Sequence, residues 1–210
     1  MIYLDNAAST AVHPEVVKEM LPYFDVEYGN PSSIHQFGRK AKNAIQKARK
    51  QVAALIGAEP DEILFTSGGT ESNNTILYGI PKSQGPKFVL NHIITSSIEH
   101  EAILEPCRDL EKNGVKVTYL PVDEHGIVNP NDITNSINPQ TVIVSVMFAN
   151  NEVGTIQPIK EISKICNKYQ IPLHTDAVQA VGKIPINVNE LGLDALSISS
   201  HKINGPKGVG

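Results

Sequence analysis

The sequence predicts an α/β fold with a largely parallel central sheet flanked by helices. Three observations carry that expectation. Short runs rich in β-branched residues recur along the chain, and helical apolar spacing fills most of the gaps between them. Polar, chemically capable residues follow most of the runs, as they do where strands end at a ligand-binding edge.

Residues 1–12 read as an N-terminal segment and 13–210 as one large domain, with no repeat, low-complexity tract or linker to divide it. The first strong element is helical. Ile34, Phe37, Ala41, Ala44, Ile45, Ala48, Val52, Leu55 and Ile56 recur at three-four spacing over 33–56. Ser33 with Gln36 reads as a capping box and Gly57 as the C-terminal stop. Six strand-like runs follow: EILFT at 62–66, HIITS at 92–96, VKVTYLPV at 115–122, TVIVSVMFA at 141–149, IPLHTD at 171–176 and ALSIS at 195–199. Helical stretches such as ESNNTILYGI, EHEAILEPCRDLEKNG and IKEISKICNKYQ separate them. The closing GPKGVG reads as a turn into a further strand, so the chain is expected to be a fragment.

Composition excludes some partners. With 210 residues, 40% of them apolar, and a formal charge of −4, nothing favours nucleic acid or an anionic membrane surface. Apolar runs stay far below the ~20 residues of a bilayer span, and Met1 leads into IYLDNAAST without a basic signal-like region. Cys107 and Cys166 are isolated within helical patterns, which suits a reducing compartment, the cytoplasm by default, and no structural zinc.

Five of the six runs deliver polar residues to one edge. SGGTES at 67–72 offers Gly69 and Thr70 at a helix start, either a phosphate site or an ordinary capped helix. His100 is open to stacking on a flat ring, moving protons, binding metal or sitting satisfied in a core. Asn151 would donate to a phenolic or carboxylate oxygen, or simply occupy a tight turn. Asp176 ends a mostly apolar strand, so it either caps the next turn or pairs with a cation such as a protonated pyridine nitrogen. Gln179 lies three residues on. His174 and Asp176 share one strand face, and with Glu99, His100 and His201 they make a rival hydrolytic metal site. Lys202 is bracketed by Ser199, His201 and a Gly-Pro turn. Those neighbours suit a phosphate beside a Schiff-base lysine better than a solvated side chain.

The strings YLDNAAST, YGNPSSIHQFGRKA, ILFTSGGTESNN, IITSSIEHEAIL, VSVMFANNEVGTIQPI, HTDAVQAVGKIPI and SSHKINGPKGVG resemble, in this order, the cysteine desulfurases of the class V aminotransferase group, in the branch serving nitrogenase and iron–sulfur cluster assembly. The resemblance runs from residue 2 to 210. It implies a fold type I homodimer using pyridoxal 5'-phosphate, taking sulfur from L-cysteine, leaving L-alanine and passing the sulfur to an acceptor or scaffold protein. By matching motifs, Lys202 is the Schiff-base lysine and His100 stacks on the pyridine ring and handles protons. Gly69, Thr70, Ser199 and His201 hold the phosphate, Asp176 pairs with the pyridine nitrogen, and Asn151 and Gln179 lie near the phenolic oxygen and substrate.

Family members are roughly twice this long, in keeping with large enzymes built of more than one domain. The resemblance places the nucleophilic cysteine and the arginine that grips the substrate carboxylate in the other half, so Cys107 and Cys166 are structural and this piece alone is inactive. A selenocysteine lyase, an amino-group transferase of the same group, or a cofactor-binding module without activity are the alternatives.

Overall fold

The computed structural model describes residues 2–83 and 91–210, with side chains omitted over 81–83. Five strands form one sheet: β1 (His92–Ser96), β2 (Lys116–Leu120), β3 (Thr141–Ser145), β4 (Leu173–Asp176) and β5 (Ala195–Ser197). Their order is β2-β1-β3-β4-β5 and every pairing is parallel.

Helices enter on both faces, as parallel strands require of their connections. In chain order they are α1 (Pro14–Met20), α2 (Pro22–Asp25), α3 (Gln36–Ile56), α4 (Gly69–Ser83), α5 (Glu101–Lys112), α6 (Pro130–Ser136), α7 (Ile159–Tyr169) and α8 (Val188–Leu191). Alternation along the strands explains the two layers. Ile93 and Ile143 point to a cluster with Leu77 of α4 and Ile103, Cys107 and Leu110 of α5. Ile94 and Val144 point the other way, to Ile133 of α6 and Ile159, Ile162 and Cys166 of α7. Burying both faces is why these strands read as continuous apolar runs. Among the described residues no helix is long and apolar enough to cross a membrane.

Two expectations change. Helix α3 starts at Gln36, and its cap is His35, whose Nδ1 accepts from the Gly38 amide, so Ser33 is not the capping residue. Gly57 does end it, in the left-handed conformation at φ 73°. The run EILFT is not a strand. Its Ile63 amide closes a 3₁₀ turn on Pro60, and Leu64 stays 68% exposed. At its far end Thr66 exchanges one pair of backbone bonds with Gly210, at 2.8 and 2.9 Å. A strand is defined by a partner, and one reciprocal pair does not make a ladder.

Candidate active site

Strand order reverses at β1. The chain passes to β2 on one side of it and builds β3, β4 and β5 on the other. The crevice beyond the carboxyl ends, where the order switches, is the place an open α/β sheet offers a ligand. A cavity of about 520 Å³ lies there, and all nine sequence-derived candidates line it: Gly69, Thr70, His100, Asn151, Asp176, Gln179, Ser199, His201 and Lys202. Glu152, Asp5, Ala7, Ala8 and Asn73 join them. A second concavity, of about 280 Å³ and mainly apolar, opens between α3 and β5 around Leu55, Leu64 and Phe65, away from these groups.

Each side chain is delivered by an element end. Gly69 and Thr70 begin α4. A Cβ on Gly69 would lie 2.9 Å from Val178 Cγ2 and 3.5 Å from Ser199 Cβ, so only glycine lets the helix start pack this closely beside Ser199. The turn before it is held by Glu71, whose carboxylate accepts from the Ser67 amide at 2.6 Å, and the Ser67 bonds keep that acid below its usual range.

His100 is exposed and caps α5, its Nδ1 accepting from the Ala102 amide at 3.0 Å. That bond leaves Nε2 and the ring face available. Asn151 sits in the turn after β3.

Asp176 ends β4 and is buried. Its Oδ2 accepts from Asn73 Nδ2 at 2.7 Å and its Oδ1 from the Val178 amide at 3.0 Å. Burial raises its pKa, while those two bonds and the charges of His100 and Lys202 pull it back down. Asn73 is 1% exposed, and its Oδ1 has no partner. Sequence reasoning missed it. Only its place one helical turn beyond Gly69 and Thr70 hinted that it faces the same way.

Lys202 projects from the 3₁₀ turn after β5. Its amine donates to the carbonyls of Ala7 and Ala8, the latter at 2.8 Å. Burial lowers its pKa, as does the Lys183 ammonium, against the opposing pull of Asp5 and Asp176. Gln179 bridges Ala7 O at 2.8 Å and Lys183 Nζ at 2.6 Å. His201 Nδ1 lies 3.3 Å from Ser9 Oγ, and burial and Lys202 lower its pKa.

The N-terminal segment thus forms one wall, tied down where the Thr10 and His13 amides donate to His201 O and Asn204 O, both at 2.9 Å. Nothing in the apolar pattern of residues 1–12 marks that role.

The metal alternative loses His174 to other bonds. His174 Nδ1 lies 2.9 Å from Ser145 Oγ and its Nε2 3.0 Å from Ser197 Oγ, so both ring nitrogens are engaged across three strands. Among the described residues no three His, Cys, Asp or Glu side chains group so as to hold a metal ion. Cys107 and Cys166 are free and buried in α5 and α7, and burial pushes each thiol up to about 12. At neutral pH neither is a thiolate.

Residues 2–210 match the aminotransferase class-V family. The chain is 55% identical over 209 residues to the cysteine desulfurase IscS of Dictyoglomus turgidum, covering all of this chain and 52% of that protein. With the IscS of Methanosarcina thermophila it shares 54%, covering 51% of that protein. It therefore spans about half the length of the curated relatives it matches. Among solved structures, SspA in complex with cysteine superposes with a TM-score of 0.96 at 41% identity, over all of this chain and 60% of the other. A NifS-like protein gives 0.95 at 43% identity, over 99% of this chain and 57% of the other.

Proposed function

This chain belongs to the aminotransferase class-V family, and on that premise we propose that it is the cofactor-holding part of a pyridoxal 5'-phosphate-dependent cysteine desulfurase. One observation carries the reading: nine residues from five separate segments converge on a single cavity at the switch point of the sheet.

The residues present fit the cofactor. The start of α4 at Gly69 and Thr70, with Ser199 and His201 beside it, offers amide, hydroxyl and imidazole donors to a phosphate. Asp176, buried and fixed by Asn73 and Val178, would keep a pyridine nitrogen protonated, while His100 would stack on the ring and Asn151 and Gln179 would lie near the phenolic oxygen and substrate. Lys202 would supply the amine that holds the aldehyde. The cofactor, when bound, provides an electron sink for the substrate α-carbon.

The chain's own residues do the rest. Burial and Lys183 lower the Lys202 pKa, so its amine is more readily free to take the α-proton of L-cysteine. His100, with Nε2 unengaged by the helix cap, carries protons at the cavity mouth. Sulfur transfer needs a thiolate. Both thiols of this chain are buried and held protonated, so the accepting cysteine comes from outside these 210 residues, and with it the persulfide, the L-alanine-releasing cycle and the hand-over to an acceptor or scaffold protein. The assembled enzyme works as a homodimer in the cytoplasm, a compartment that suits two free thiols.

The test is an absorbance spectrum of the chain with added pyridoxal phosphate, then borohydride reduction and peptide mapping. The expected result is a visible band and label confined to the peptide containing Lys202. Label scattered over surface lysines would overturn the assignment.

A further inference from the structure

Beyond the last β1–β3 pair, Thr95 with Ser145, the two strands part to let the chain turn into α5. The amides after β3 must then find other acceptors. Val146 N donates to His174 O at 3.1 Å and Phe148 N to Asp176 O at 2.9 Å, both toward β4. Met147 N points the other way, and its acceptor is a side chain: Glu99 Oε1, at 2.8 Å. The same oxygen accepts from Ser96 Oγ at 2.6 Å. Glu99 is 5% exposed, and its second oxygen, Oε2, is buried with no partner. No mechanistic step above uses this residue, yet it immediately precedes His100.

We propose that Glu99 is a positioning residue of the site: as a neutral carboxylic acid it joins the end of β1 to the end of β3, sets the turn that presents His100, and leaves Asp176 as the single buried anion among the described residues.

The chemistry supports neutrality. An ionised carboxylate at this depth would need a cation or more donors, and one oxygen has none. The charge acting on it is unfavourable: Asp176 on β4 opposes its ionisation. Desolvation raises the acid to about 8, although the Ser96 and Met147 bonds lower it. A second tie supports the same turn: Asn150 Nδ2 donates to Ile98 O at 2.9 Å.

The proposal rests on the desulfurase reading for what His100 does, but its test is made on the chain without cofactor. Infrared difference spectra at pH 7 between the native chain and Glu99→Gln should show a protonated-carboxyl band that the variant lacks. Only carboxylate bands would overturn neutrality.

The sign of the pH effect follows. Between about 4.5 and about 8 the folded chain alone keeps this proton, so stability falls as pH rises, and Glu99→Gln loses that component. Equal slopes would count against the proposal.

Positioning is read from the imidazole nitrogen resonances of His100. Glu99→Gln retains an oxygen for Ser96 and Met147 and should leave them in place, whereas Glu99→Ala should displace them. If Glu99→Ala does not fold, Ser96→Ala, which removes one of the two donors, should give a smaller displacement. His100 unmoved in a folded Ala variant would overturn the positioning role. Lys202 labelling that fails while these results hold would overturn the desulfurase reading alone.

Discussion

His174 and Asp176 stand two residues apart on one face of β4 and have opposite fates. His174 is closed: both ring nitrogens are bonded, to Ser145 and Ser197, and burial pushes its pKa down to about 3. His92, at the other end of the sheet, is closed in the same way, with Nδ1 2.8 Å from Thr141 Oγ1 and Nε2 2.8 Å from Thr118 Oγ1. Asp176, Asn73 and Lys202 form an open group. Asn73 Oδ1 is orphaned and the Lys202 amine rests on the carbonyls of a neighbouring segment. Buried polar groups whose bonds are complete specify the fold. Groups left incomplete at a cavity wall are where a ligand gains most by binding.

Four substitutions sharpen this contrast. The largest effect is expected from Lys202→Ala, which should eliminate the borohydride-trapped cofactor on the 202 peptide and, in the assembled enzyme, reduce alanine production to the level without cofactor. Measurable turnover above that level would contradict the assignment.

Next is His174→Ala, which leaves two buried serine hydroxyls without their partner and a void between three strands. A loss of about 3 kcal/mol in urea unfolding is expected. The native chain should also lose stability as pH falls from about 6.5 to about 3. Over that range the unfolded state binds the proton that folded His174 refuses, and His174→Asn should lack that component.

Asp176→Asn should keep the fold but weaken cofactor binding, since a charged hydrogen bond contributes about 1.5–3 kcal/mol, roughly 10- to 150-fold in Kd. Titration by absorbance would show it. The smallest effect belongs to the closed group at the far end. Thr118→Val removes one of several bonds to His92 and should lower stability by about 1 kcal/mol while leaving cofactor binding unchanged.

Much of the site was legible because of where strands end. A carboxylate after an apolar run, a lysine flanked by serine, histidine and a Gly-Pro turn, and glycines before a helix are each ambiguous. Once alternating strands and helices imply a parallel sheet, however, all of them fall on one edge. What could not be read depends on pairs far apart in sequence. Asn73 matters because it meets Asp176, 103 positions away, and the wall formed by Ala7 and Ala8 exists because the N-terminal segment crosses Lys202, 195 positions on from Ala7. Glu99 was legible as a polar residue after a strand and as one member of a metal set. Its bond to the Met147 amide was not, because an unpaired amide beyond a strand end leaves no mark in the pattern.

The sequence by itself determined the α/β class, the two apolar faces of the sheet, the long helix α3 with its glycine stop, and the list of groups at the carboxyl edge. Side-chain periodicity and chain stiffness are local properties, so they are written locally. Tertiary structure alone decided three things. EILFT is no strand, for want of a ladder partner. His174 belongs to the core and not to a metal, because two serines on neighbouring strands take both its nitrogens. Asp176, Asn73, His100 and Lys202 share one cavity, because a reversal of strand order opened a crevice there. Each depends on which distant backbone lies alongside, and only packing of the whole chain selects that.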